Sequence, residues 1–248
     1  MSANRTKEDD GLLGRWALVR QDERRDVLLA AAYFFLVLAS YFVLKPLRDQ
    51  LGVAGGVKNL KYLWTATLIG SGAASALFAA LTSRFPRRVF VPIANHLCAA
   101  TLIAFFIGFG AVEGEAKTWL ARVFYVWLAV YAVFSVSVFW GFVVDVFGLN
   151  QARRLFGLIG IGGTLGAIAG PYATEKLATR IDLNWLFVVS AVLVELAVVC
   201  AALLGRRADR RATAASATAR HEVPLSGNAW TGWKLVVHLP ARHWYAFA

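Results

Sequence analysis

The chain has 248 residues, of which 58% are hydrophobic and only 17% charged, and its mean hydropathy is +0.57. A soluble domain of this length carries about one charged residue in four and does not gather its apolar residues into runs of about twenty, so a soluble fold is excluded. The net charge of +11 would suggest nucleic acid in a soluble protein, but here the cations sit between apolar runs and imply no nucleic-acid partner.

Residues 1–25 are polar and rich in arginine. Arg15, Trp16, Leu18, Arg20, Arg24 and Arg25 predict an interfacial helix leading into the membrane. The apolar run that follows is too long for a secretory signal core and ends in no small-residue cleavage site. Six apolar runs then predict helices at 26–46, 60–82, 89–110, 119–144, 154–174 and 184–204. Each is long enough to cross a hydrocarbon layer of about 30 Å. The expected fold is an all-α membrane protein, a six-transmembrane-helix bundle over 26–204. The remainder, 205–248, turns basic and then Ala/Thr/Ser-rich, and is expected as a cytoplasmic linker with an interfacial or truncated tail bearing Trp230, Trp233 and Trp244. Connections on the N-terminal side hold about 16 Lys and Arg residues against about 8 on the other, so both termini are expected in the cytoplasm.

The first run closes on Lys45, Pro46, Arg48 and Asp49. Pro46 is expected to break or kink the helix there. Two cations and one anion within a turn read either as a polar helix end with an internal ion pair or as an anion-recognition site. Lys45 and Arg48 lie on the outer side, where the charge rule expects fewer cations, which favours the second reading.

The second run carries Gly70, Gly72, Ala73, Ala74 and Ala76, a small-residue face expected to pack closely on a neighbour. In the third run, Asn95 and His96 predict a buried histidine or a helix-packing polar pair rather than a proton relay. Trp119, Trp127 and Trp140 in the fourth run read as an aromatic belt, and Asp145 with Arg153 and Arg154 as a latch between the fourth and fifth. The glycines of the fifth run are not a phosphate loop, because no Lys-Ser/Thr follows them, nor a dinucleotide fingerprint, because Leu165 stands where the third glycine belongs. Gly162, Gly166 and Gly170, four apart and followed by Pro171, read instead as a close-packing face and a candidate hinge. Glu195 falls in the middle of the sixth run, where an acid is either a substrate-binding group or is hydrogen-bonded within the bundle. Cys98 and Cys200 read as packed thiols rather than a disulfide. No nucleophile–base pair, metal-ligand box or phosphate loop points to an enzyme, a metal or a cofactor.

Six runs, a short basic turn at Arg84, Arg87 and Arg88, and the Gly162–Pro171 segment resemble one half of a major facilitator transporter. Ser83 departs from that superfamily's turn motif, which has an acid there. The stretch Tyr41–Asp49, together with Phe139–Phe147 and Arg154–Gly157, is similar to the ATP:ADP antiporter family and its bacterial relatives. That resemblance implies an alternating-access carrier of a small anionic, phosphorylated substrate such as a nucleotide, in a bacterial inner membrane. It also implies that Lys45 and Arg48 meet phosphate and that Asp49 positions one of them. Members of that family have about twice as many spans, so the resemblance implies a truncated half, with the C-terminal half missing, or a homodimer. The alternative is a non-transporting membrane anchor or sensor.

Overall fold

A backbone that crosses hydrocarbon must satisfy its own N–H and C=O groups, and the apolar runs do so as helices. The computed structural model describes residues 23–54, 60–84 and 87–216. Within them lie α1 (Arg24–Ala54), α2 (Leu60–Arg84), α3 (Arg87–Ala111), α4 (Gly114–Phe147), α5 (Leu149–Ala178) and α6 (Trp185–Ser216). All six are long and apolar enough to span a membrane. The expected interfacial helix before residue 23 and the tail beyond 216 lie outside the described residues.

Each helix runs past its expected bounds at one end or both, and α1, α5 and α6 do so furthest. Pro46 does not end α1, which continues as helix to Ala54. Proline removes one donor, leaving the Phe42 carbonyl without its usual partner, and within a bundle neighbouring groups make up such a loss. The hydroxyl of Thr174 on α5 lies beside that gap and donates to the next carbonyl, Val43 O, at 2.7 Å. Likewise α5 passes through Pro171 to Ala178. The helix α6 continues beyond 204 to Ser216 because its Ala/Arg-rich extension favours helix and because Arg207 and Arg211 are anchored on α1. At the α4–α5 junction, Gly148 alone reverses the chain, with φ of 70° and its N–H on Val144 O at 2.8 Å.

α1 and α4 are the centre of the bundle. The first packs on α5, α6 and α4, the second on α2, α3 and α1, and α3 packs on α6. Exchanging α1 with α4, α2 with α5 and α3 with α6 maps these main pairings onto themselves. Because each triplet has an odd number of helices, the two run in opposite directions, an inverted repeat. The core divides along α1. One cluster centres on Tyr33, Phe139, Leu155 and Leu204, and the other on Leu44, Leu102, Phe124 and Phe187. We call the end holding the first cluster near and the other far.

The glycine face of α5 meets the backbone of α1. A Cβ at Gly162 would overlap Ala31 O, one at Gly166 would overlap Phe35 O, and one at Gly170 would lie 2.6 Å from Phe42 Cβ. Contact of this closeness needs glycine, since any side chain would force the helices apart. In α2, by contrast, Gly70 lies against Val126 and Val130 of α4 and Ala74 is buried, but Gly72, Ala73 and Ala76 face outward. The small-residue stretch is thus only partly a packing face, and α2 is the least buried of the six spans.

Candidate functional site

The charged stretch of α1 is held inside the helix rather than at its end. Lys45 and Arg48 lie about 14 and 9 Å short of Ala54 along the axis. Lys45 Nζ donates to Asp49 Oδ2 at 2.7 Å, one helical turn on. Arg48 Nη1 lies 3.4 Å from Asp49 Oδ1, so one carboxylate serves both cations. Arg48 is further fixed by α4. Its Nε donates to Tyr125 O at 2.9 Å and its guanidinium stacks 3.8 Å from the Tyr125 ring centroid. Tyr125 Oη in turn accepts from Trp64 Nε1 of α2 at 3.2 Å, and Gly52 leaves the space its ring occupies.

Exposure divides the trio. The Arg48 side chain is 12% exposed, whereas Lys45 and Asp49 are 41% and 47% exposed. The site therefore presents a positioned guanidinium, a partly exposed ammonium and a carboxylate whose single charge offsets one of the two. Guanidinium and ammonium groups so placed are donors suited to an anionic oxygen, the role Asp49 fills here.

Glu195 does not join this group. It sits on α6 with His96 of α3, whose Nδ1 is 2.9 Å from Glu195 Oε1. Each is half-exposed, on a face that also shows Ile93, Leu97, Val192 and Leu196. His96 is thus a cross-helix polar partner but not a buried one. Its neighbour Asn95 is buried, donating to Tyr33 Oη at 3.2 Å and Val91 O at 2.9 Å. The tryptophans of α4 are less of a belt than expected. Trp140 packs on Phe34, Phe139 and Phe156, and Trp127 stacks on Tyr131. The side chains of Arg153 and Arg154 lie outside the described residues, so their latch with Asp145 does too. Both cysteines are free.

Sequence reading missed two groups. One is a near-end clamp: buried Asp26 on α1 is bridged by Arg207 and Arg211 of α6, and buried Glu23 accepts from Gln151 of α5. The four-residue spacing of the two arginines, with an acid opening the first apolar run, was the available signal. The other is a pair of buried hydroxyl contacts at the centre, Ser40 Oγ with Tyr131 Oη at 2.5 Å and Ser190 Oγ donating to the Ser40 backbone carbonyl at 2.9 Å. Single serines in apolar runs carry no pattern that would have revealed it. Among the described residues, no group of three or more His, Cys, Asp or Glu side chains could hold a metal.

Comparison with known proteins agrees with this architecture. The Major Facilitator Superfamily matches residues 16–248. No curated protein and no solved structure matches the chain. The match covers nearly its whole length, and the chain belongs to the Major Facilitator Superfamily.

Proposed function

We propose that this membrane protein is a secondary transporter for an anionic, phosphorylated metabolite, with exchange of ATP- and ADP-type nucleotides as the specific reading. Family membership supports the transporter class. The observation that carries the substrate class is the Lys45–Arg48–Asp49 trio, two cations on one carboxylate inside a spanning helix. Charge at that depth is costly unless it serves a pathway or a ligand. Similarity of the Tyr41–Asp49 stretch to the ATP:ADP antiporters adds the nucleotide.

In this reading the substrate's phosphates displace Asp49 from Lys45 and add to Arg48, which Tyr125 holds ready. Alternating access then needs motion of one helix group past another. The glycine contact between α5 and α1, with Pro46 and Pro171 near its far end, is the hinge we assign. The excess of cations at the near end supports a reading in which both termini face the cytoplasm, and the resemblance to the bacterial relatives of the ATP:ADP antiporters supports a bacterial inner membrane. In this reading a second bundle, from a homodimer or a C-terminal half, would complete the pathway.

The test is thermal stability of the purified protein against a ligand series. Nucleoside di- and triphosphates should raise the unfolding midpoint, sugar phosphates should do so less, and unphosphorylated nucleosides not at all. Equal response to nucleosides and nucleotides would remove the phosphate from the reading.

A further inference from the structure

We propose that the groove between α2 and α4 at the far end is a binding site for an anionic phospholipid, with Arg122 on the phosphate and the acyl chain along the groove. The cavity measures about 620 Å³ and is lined by residues of these two helices alone. Its floor and walls, including Ala66, Val123 and Trp127, are apolar, while Tyr62, Trp119 and Arg122 supply its polar and aromatic mouth. Arg122 is partly buried and stacks 4.6 Å from the Trp119 ring centroid. Its Nε is buried without a hydrogen-bond partner among the described residues.

An Arg122 Nε–H that has lost water and gained no acceptor is poorly stabilised, and a phosphate oxygen supplies what is missing. The rest of the groove suits a hydrocarbon chain rather than a soluble anion. Its place also fits a lipid. Arg122 lies about 12 Å from the start of α4, and Tyr62 lies at the start of α2, where tryptophan, tyrosine and arginine meet headgroups. Arg48 contacts Tyr125 on another flank of α4, so this site is separate from the charged trio.

The experiment is native mass spectrometry of the full chain in detergent with equal amounts of phosphatidylglycerol and phosphatidylcholine, with and without excess glycerol phosphate. Phosphatidylglycerol adducts should dominate and should survive the glycerol phosphate. Arg122→Gln should weaken them about tenfold, the effect of one charge-assisted hydrogen bond. Ala66→Phe, which fills the groove and keeps the arginine, should weaken them as well, so the proposal does not hang on one variant's folding. Equal retention of the two lipids, full retention in either variant, or displacement by glycerol phosphate would overturn it. The last outcome would mark a soluble-phosphate site instead.

Discussion

Arg48 both stacks on Tyr125 and donates to that residue's own carbonyl, so one α4 residue fixes the guanidinium in plane and in direction. Lysine cannot reproduce this, having a point charge in place of a planar fork. Arg48→Lys should therefore lose the stacking and the Nε bond and lower the unfolding midpoint, each lost contact being worth on the order of 1 kcal/mol. Tyr125→Phe keeps ring and carbonyl, loses only the Trp64 bond, and should cost less. Thermal unfolding of both variants checks the order, and a larger loss for Tyr125→Phe would contradict it.

The α1–α5 contact makes opposite predictions for glycines in one helix. At Gly166 a Cβ would enter the backbone of α1, whereas at Gly160 it would meet nothing within 4 Å. Gly166→Ala should destabilise by about 1–3 kcal/mol through overpacking. Gly160→Ala should be neutral or stabilising by up to about 1 kcal/mol, since alanine is the better helix former. Unfolding midpoints of the pair separate a specific packing face from a general dislike of substitution.

At the near end, two arginines share Asp26, so their loss should be redundant and that of the acid should not. Asp26→Asn is expected to destabilise by roughly 1–3 kcal/mol, since it removes the acceptor shared by two arginines that are each more than a third exposed. Arg207→Gln alone should cost less, because Arg211 remains. Equal effects for the two variants would mean that Asp26 does not join α1 to α6.

The pair His96–Glu195 stands half-exposed among apolar side chains at about 14 Å along α3. Removing one partner, as in His96→Leu or Glu195→Leu, leaves an uncompensated polar group and should lower stability. The double leucine variant should recover much of that loss. A double-mutant cycle by thermal unfolding measures the coupling, and strict additivity would show the contact to be idle.

What the sequence disclosed follows from what the membrane enforces. Six runs of apolar residues had to be helices, and they are. Helix ends were less legible, because a proline such as Pro46 stops a helix in water but only removes one bond in a packed bundle. Lys45, Arg48 and Asp49 could be grouped from spacing alone, since helical neighbours need no tertiary information. Tyr125 could not, because it lies 77 positions from Arg48 and nothing in its local pattern marks it. Glu195 was legible as an unusual acid but not by its partner, because its meeting with His96 depends on the α3–α6 crossing. The small-residue stretch of α2 shows the same limit: spacing identifies a face that permits close packing, not whether a neighbour is there.

The most direct test of the transporter reading uses vesicles containing the protein, preloaded with ADP, and the uptake of labelled ATP. Uptake should require internal ADP and should fall to background in the Lys45→Ala/Arg48→Ala double variant. Uptake that is equal in the variant, or absent from the unmodified protein, would contradict nucleotide exchange through the charged trio of α1.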